Sequence, residues 1–155
     1  MRRVALAVAL AALLASCGGG SKSSKGPETA YLTGVTVRRD AVTFDFKTAP
    51  ITVKAAYQPR SKLQECGSGQ PVRVQGAAYV VVHFTPAASA EFKGENAVPT
   101  YTGPNRLSGP GPVLETAKIC DFEADLGWAV GIAKRLPLHV SHDGSSVTVS
   151  FGVTT

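Results

Sequence analysis

The sequence predicts an all-β fold, a single β-sandwich or open barrel of about eight mostly antiparallel strands with one long irregular loop. Three observations lead there. Apolar and polar residues alternate with period two through much of residues 31–151. No stretch beyond the N-terminal apolar run keeps a helical period over three turns. Proline and glycine close the alternating runs where turns are needed.

The strands follow in order. Val35 and Val37 alternate with Thr36 and Arg38, and Arg39-Asp40 turns the chain into Val42, Phe44 and Phe46, which alternate with Thr43, Asp45 and Lys47. This is a half-buried strand pair. Ile51 to Tyr57 continues the pattern between Pro50 and Pro59, residues 60–70 read as a polar loop carrying Cys66, and Val72 and Val74 open another strand. Ala77 to Thr85 is apolar on both faces, as expected of a strand inside a sheet and covered on both sides. Pro86 to Pro112 is the long irregular segment, with Phe92, Tyr101 and Leu107 as apolar anchors that pack it down or meet a ligand. Ile119 to Ile132 alternates most clearly. One strand, or two with a bend near Gly127, would put Cys120, Phe122, Ala124, Leu126, Trp128, Val130 and Ile132 on one face. The chain closes with Leu138-His139-Val140, a turn at Asp143-Gly144, and Val147, Val149 and Phe151.

Ahead of this domain stands a different kind of sequence. Arg2 and Arg3 precede an apolar run from Val4 to Leu14, and Leu14-Ala15-Ser16-Cys17 follows. The run is about 11 residues, against roughly 20 for a bilayer span, so it reads as the core of an export signal. A cysteine at the cut resembles a bacterial lipoprotein signal, which implies cleavage before Cys17 and a lipid on its sulfur. The expected organisation is a signal over residues 1–16, a lipidated cysteine and flexible tether over 17–29, and one β domain over 30–155. The Gly/Ser/Lys tether spans roughly 20 Å on average.

Composition narrows the function. Removing sixteen of the 155 residues takes away Arg2 and Arg3 but no acid, so 139 residues remain and the formal charge falls from +5 to +3. Arg38, Arg39, Arg60, Lys62, Arg73, Lys134 and Arg135 are scattered in sequence, which argues against nucleic acid. With Cys17 lipidated, Cys66 and Cys120 remain as a pair in an oxidising compartment and are expected to form a structural disulfide. They lack the Cys-x-x-Cys spacing of a redox or metal pair.

Candidate sites are few. Asp121, Glu123 and Asp125 place three carboxylates along one expected strand face, a possible ligand or partner surface. As a calcium loop the glycine falls one place late, and Ile132 sits where a bidentate Glu belongs. His83, His139 and His142 have no metal-ligand spacing, and Gly67-Ser68-Gly69 is a turn rather than a nucleophile elbow. Phe92, Tyr101 and Trp128 join the candidate surface, with Trp128 either a core anchor or a sugar-stacking platform. No catalytic residue, metal or cofactor is expected.

Asp40-Ala-Val-Thr-Phe-Asp-Phe46, then Phe122-Glu123 with Trp128-Ala-Val-Gly131-Ile132, resembles the opening and closing motifs of AMIN-like domains in actinobacterial lipoproteins. Ser68-Gly-Gln-Pro-Val72 fits the same order, and the resemblance covers roughly residues 31–152. This chain has Ala41 where the family usually has Arg and Ala124 where it has Gly. The resemblance implies an all-β domain at the cell envelope, by analogy with AMIN domains that target wall enzymes to peptidoglycan. The expected function is therefore a non-catalytic, lipid-anchored envelope lipoprotein on the extracytoplasmic face of the membrane. Its partner would be peptidoglycan or another wall polymer, or another envelope protein. The alternative is capture of a small ligand in a pocket between the sheets near Tyr79, Phe92 and Trp128.

Overall fold

A computed structural model of the chain describes residues 28–152. The expected export signal, Cys17 and nearly all of the expected tether lie outside the described residues. The domain begins with β1 (Ala30–Val37), β2 (Ala41–Phe46) and β3 (Thr52–Gln58), and a 3-10 turn at Arg60–Lys62 leads toward β4 (Ala78–Thr85). Then come β5 (Ala87–Ala88), β6 (Ala90–Lys93), β7 (Asn96–Pro99) and β8 (Arg106–Ser108). The chain ends with β9 (Val113–Phe122), β10 (Asp125–Ile132), β11 (Leu138–Asp143) and β12 (Ser146–Phe151).

These strands form two five-stranded sheets, ordered β11-β12-β2-β1-β5 and β3-β4-β10-β9-β8, with β6-β7 as a separate hairpin. The sheets do not close into a barrel, and the fold is a β-sandwich. All named pairings are antiparallel except the short contact of β1 with β5.

The core lies between the sheets because one alternating face of each central strand turns inward. Val42, Phe44 and Phe46 of β2 and Val147, Val149 and Phe151 of β12 meet Val80, Val82 and Phe84 of β4 and Leu126, Trp128, Val130 and Ile132 of β10. Phe44 bridges the layers, with ring centroids 4.9 Å from Phe84 and 5.8 Å from Trp128. Each such side chain contributes roughly 1.5–3 kcal/mol on burial. On the outward side of the β2–β12 pair, Thr43 and Thr148 share a 2.9 Å hydrogen bond.

A second, smaller core explains why β4 is apolar on both faces. Residues 60–76 cross the outer face of its sheet, so that Leu63 and Val74 cover Tyr79, Val81, Ala117, Ile119 and Ala129. The Cys66–Cys120 disulfide, with Cα atoms 5.1 Å apart, pins this crossing segment to β9. Gly131 permits the crossing, since a Cβ there would lie 1.9 Å from the Gln75 carbonyl oxygen. Val72 and Val74, expected to open a strand, instead belong to this cover, tied by a Val72 N–H to Leu63 carbonyl bond and a single bridge between Gln64 and Pro71.

Two further expectations are corrected. The segment from Pro86 to Pro112 is not one irregular loop. It contains β5, the β6–β7 hairpin and the edge strand β8. The hairpin leaves no signal in the sequence because most of its side chains are exposed on both faces, without apolar alternation. The chain from Ile119 to Ile132 bends at Glu123-Ala124, not near Gly127, and both turn residues have positive φ (49° and 59°). Two-residue hairpins need that left-handed geometry, usually from glycine or asparagine, and Ala124 gives no such signal. With Phe122 opposite Asp125, this two-residue turn puts Cys120 opposite Gly127 on the outer face, away from the main core, and a register shift follows between Gly127 and Trp128.

Candidate functional site

Strand direction assembles a site that the scattered bases conceal. β3 and β10 both run antiparallel to β4, so they are parallel to each other and their C-terminal ends lie side by side across the start of β4. Arg60 follows the end of β3, Lys134 and Arg135 follow the end of β10, and Tyr79 stands at the start of β4 between them. Together with Tyr57 they line a cleft of ≈ 840 Å³ whose lining residues include three cations and no carboxylate.

Stacking fixes the two guanidinium groups. The Arg135 Cζ lies 4.1 Å from the Tyr57 ring centroid, and the Arg60 Cζ lies 4.9 Å from that of Tyr79. Such cation–π contacts hold a guanidinium in place, and Arg60 commits only its Nη2 to Tyr79 and Gly76, leaving its other N–H groups to meet an anion. The tyrosines are themselves anchored. The Tyr57 hydroxyl donates to the Leu136 carbonyl at 2.6 Å and accepts the Leu136 N–H at 3.1 Å. The Tyr79 hydroxyl donates to the Gly76 carbonyl and accepts from Arg60, whose guanidinium also reaches the Gly76 carbonyl at 3.3 Å. Beyond Arg60 lie Arg73 and Arg106, and the nearby Glu115 is already engaged by Arg106 at 2.6 Å and the Gln75 N–H at 2.7 Å. A concave wall of one charge sign raises the local concentration of anions.

The cleft also lies at the end of the sandwich away from the chain entry. Ala30 donates to the Pro86 carbonyl, and the Ala87 N–H donates to the Ala124 carbonyl, so the domain begins beside the start of β10. The cleft is at the other end of that eight-residue strand, roughly 25 Å away at the usual rise per residue.

The three expected carboxylates do not form one face, because the Glu123-Ala124 turn places Asp121 and Asp125 on different strands. Asp121 accepts hydrogen bonds from the Ser89 N–H at 3.2 Å and from Lys118 Nζ at 3.1 Å, and its other partner is the Ser89 hydroxyl. Asp125 turns to the opposite side and pairs with His83, whose Nδ1 lies 2.8 Å from its Oδ1. Glu123 sits in the turn. Among the described residues no group of three or more His, Cys, Asp or Glu side chains is placed to hold a metal ion.

The aromatic candidates separate as well. Trp128 is fully buried in the main core, and Tyr101 packs edge-on against it at 5.8 Å with its hydroxyl donating to the Pro104 carbonyl at 2.8 Å. Burial pushes the Tyr101 phenol above its ordinary pKa. Both are core residues rather than ligand platforms. Phe92 is 75% exposed on the β6–β7 hairpin. With Tyr79 on the outer face, Phe92 on the hairpin and Trp128 in a packed interior, these three do not converge on a pocket between the sheets.

The residues that carried the family resemblance are mainly core contacts: Phe44 and Trp128 meet between the sheets, and Gly131 admits the crossing loop. The family model of AMIN-like domains matches residues 29–149. The chain belongs to the AMIN-like family. Membership points to a binding module associated with the cell wall or envelope. Neither the curated proteins nor the solved structures supply a significant match to this AMIN-like domain.

Proposed function

We propose that this AMIN-like domain is the binding part of a non-catalytic, lipid-anchored envelope lipoprotein, and that it takes an anionic cell-wall polymer in the cleft of Tyr57, Arg60, Tyr79, Lys134 and Arg135. The observation that carries this reading is a concave site lined by three cations, two of them stacked on tyrosines, with no carboxylate among its lining residues. Carboxylates or phosphates of a wall polymer supply the complementary charge. The Leu14-Ala15-Ser16-Cys17 sequence supplies the anchor, held on the outer face of the membrane. A chain that enters at one end of the sandwich and a cleft at the other let the site face away from the membrane, toward the wall.

Exchanging Lys134 and Arg135 together for glutamate tests the cleft. Both are exposed, so the melting temperature should hold, while affinity for purified sacculi should fall at least about tenfold because two attractions become repulsions. Unchanged affinity would reject the cleft. Cys17→Ala tests the anchor: the protein should move from the membrane fraction to the soluble fraction, and retention in the membrane would contradict lipidation. An envelope protein as partner is the second reading, favoured by the exposed Phe92 on the β6–β7 hairpin. It would gain if sacculi failed to bind at all.

A further inference from the structure

We infer that the cleft is one end of a longer track that holds several consecutive units of a linear anionic glycan or polyol phosphate. This rests on the proposed reading of the cleft and extends it along the outer face of the sheet. A second groove, ≈ 720 Å³, shares Gln58 with the cleft. Its apolar floor includes Val81, Ile119 and the Cys66–Cys120 disulfide, and its lining carries Lys54 and Lys62 but no carboxylate. Each volume falls in the range of a site for one small-molecule-sized group, so two joined end to end suit a chain of units.

The sequence of β3 builds the connection. Lys54, Ala56 and Gln58 are its exposed, outward-facing row, spaced about 7 Å apart by the strand repeat. A cation, a methyl and an amide therefore succeed one another along the path, with Lys62 leaning in from the 3-10 turn. That order matches a polymer whose repeating anions alternate with hydroxyls and C–H faces. His83 lines the far end, where its pairing with Asp125 brings a carboxylate close to the path. The track thus runs from Arg135 to His83, and its anion-attracting part ends there.

The test uses the full chain in detergent and measures binding of fluorescent galacturonate and glycerol-phosphate oligomers, each as dimer and octamer. The two chemistries distinguish carboxylate from phosphate recognition. At least one octamer should bind about thirtyfold or more tighter than its dimer, above the roughly sevenfold statistical gain from overlapping registers. The paired substitutions Lys54→Ala and Lys62→Ala should remove that excess and leave dimer affinity within about twofold, because the dimer occupies the cleft alone. An octamer gain no greater than statistical, or an excess gain that survives in the Lys54/Lys62 variant, would overturn the track. If dimers still bind and Lys134→Glu with Arg135→Glu abolishes that binding, the cleft reading stands without the track. If no oligomer of either chemistry binds through Lys134 and Arg135, both readings fall.

Discussion

Replacing Cys66 and Cys120 together by serine is expected to lower the stability of the domain by about 4 kcal/mol. The two cysteines are 54 residues apart, and the entropy of closing a loop of that length in the unfolded chain gives this magnitude. A domain of this size has a total stability of only about 5–15 kcal/mol. Local structure should suffer too. The crossing segment that carries Cys66 also covers Tyr79, Val81, Ala117, Ile119 and Ala129, and it supplies Arg60 and Lys62 to the binding surface. Denaturant unfolding of the oxidised protein and the double serine variant should show a large drop in midpoint. Ligand affinity of the folded variant should fall as Arg60 loses its fixed place over Tyr79. Equal midpoints for the two proteins would show that the disulfide constrains nothing of consequence.

Trp128→Ala is expected to cost about 3–5 kcal/mol, the range for deleting a large aromatic side chain from a packed core. Trp128 is fully buried, and its ring meets Phe44 from the facing sheet and Tyr101 from the segment after the β6–β7 hairpin. The indole Nε1 has no hydrogen-bond partner, so Trp128→Phe forfeits volume but no hydrogen bond and should cost clearly less. The same pair of variants separates packing from recognition. The Phe variant should keep the wild-type affinity for sacculi, whereas a sugar-stacking tryptophan would lose affinity with little loss of stability. Thermal unfolding and sacculus binding of both variants decide between these outcomes.

How much was legible in the sequence depended on how many faces of each strand were buried. The β1–β2 hairpin and the closing hairpin show because one side of each alternation is apolar: Val42, Phe44 and Phe46 point into the core while Thr43 and Asp45 do not. β4 shows as a run apolar on both faces, because both are covered. The disulfide showed because only two cysteines remain once Cys17 is assigned to the anchor. The β6–β7 hairpin did not show, because a strand exposed on both sides carries no pattern. The face of Cys120 was misread for a different reason. Period two fixes faces only along one continuous strand, and the two-residue turn at Glu123-Ala124 sets Cys120 opposite Gly127, on the face away from Leu126 and Trp128. The turn at Glu123-Ala124 was hidden because Ala124 adopts positive φ without being glycine.

The binding site was hidden for a topological reason. Tyr57, Arg60, Tyr79, Lys134 and Arg135 span much of the domain in sequence, and only the parallel directions of β3 and β10 bring them together. Sequence did hold one usable signal. Pro59-Arg60 and Lys134-Arg135 each follow directly on a strand, so two basic strand ends were visible before their proximity was. Pairing both strands with the apolar β4 would have placed them side by side.

The most direct measurement is co-sedimentation of the soluble domain, residues 26–155, with purified cell-wall sacculi across a salt series, beside the variant carrying Lys134→Glu and Arg135→Glu. A wall-polymer site in a cleft with stacked guanidinium groups should hold the domain on sacculi through physiological ionic strength, where exposed charges more than about 8 Å apart are largely screened. The variant should stay in the supernatant. No sedimentation of the wild-type domain, or equal sedimentation of the two proteins at every salt concentration, would contradict the cleft as the wall-binding site.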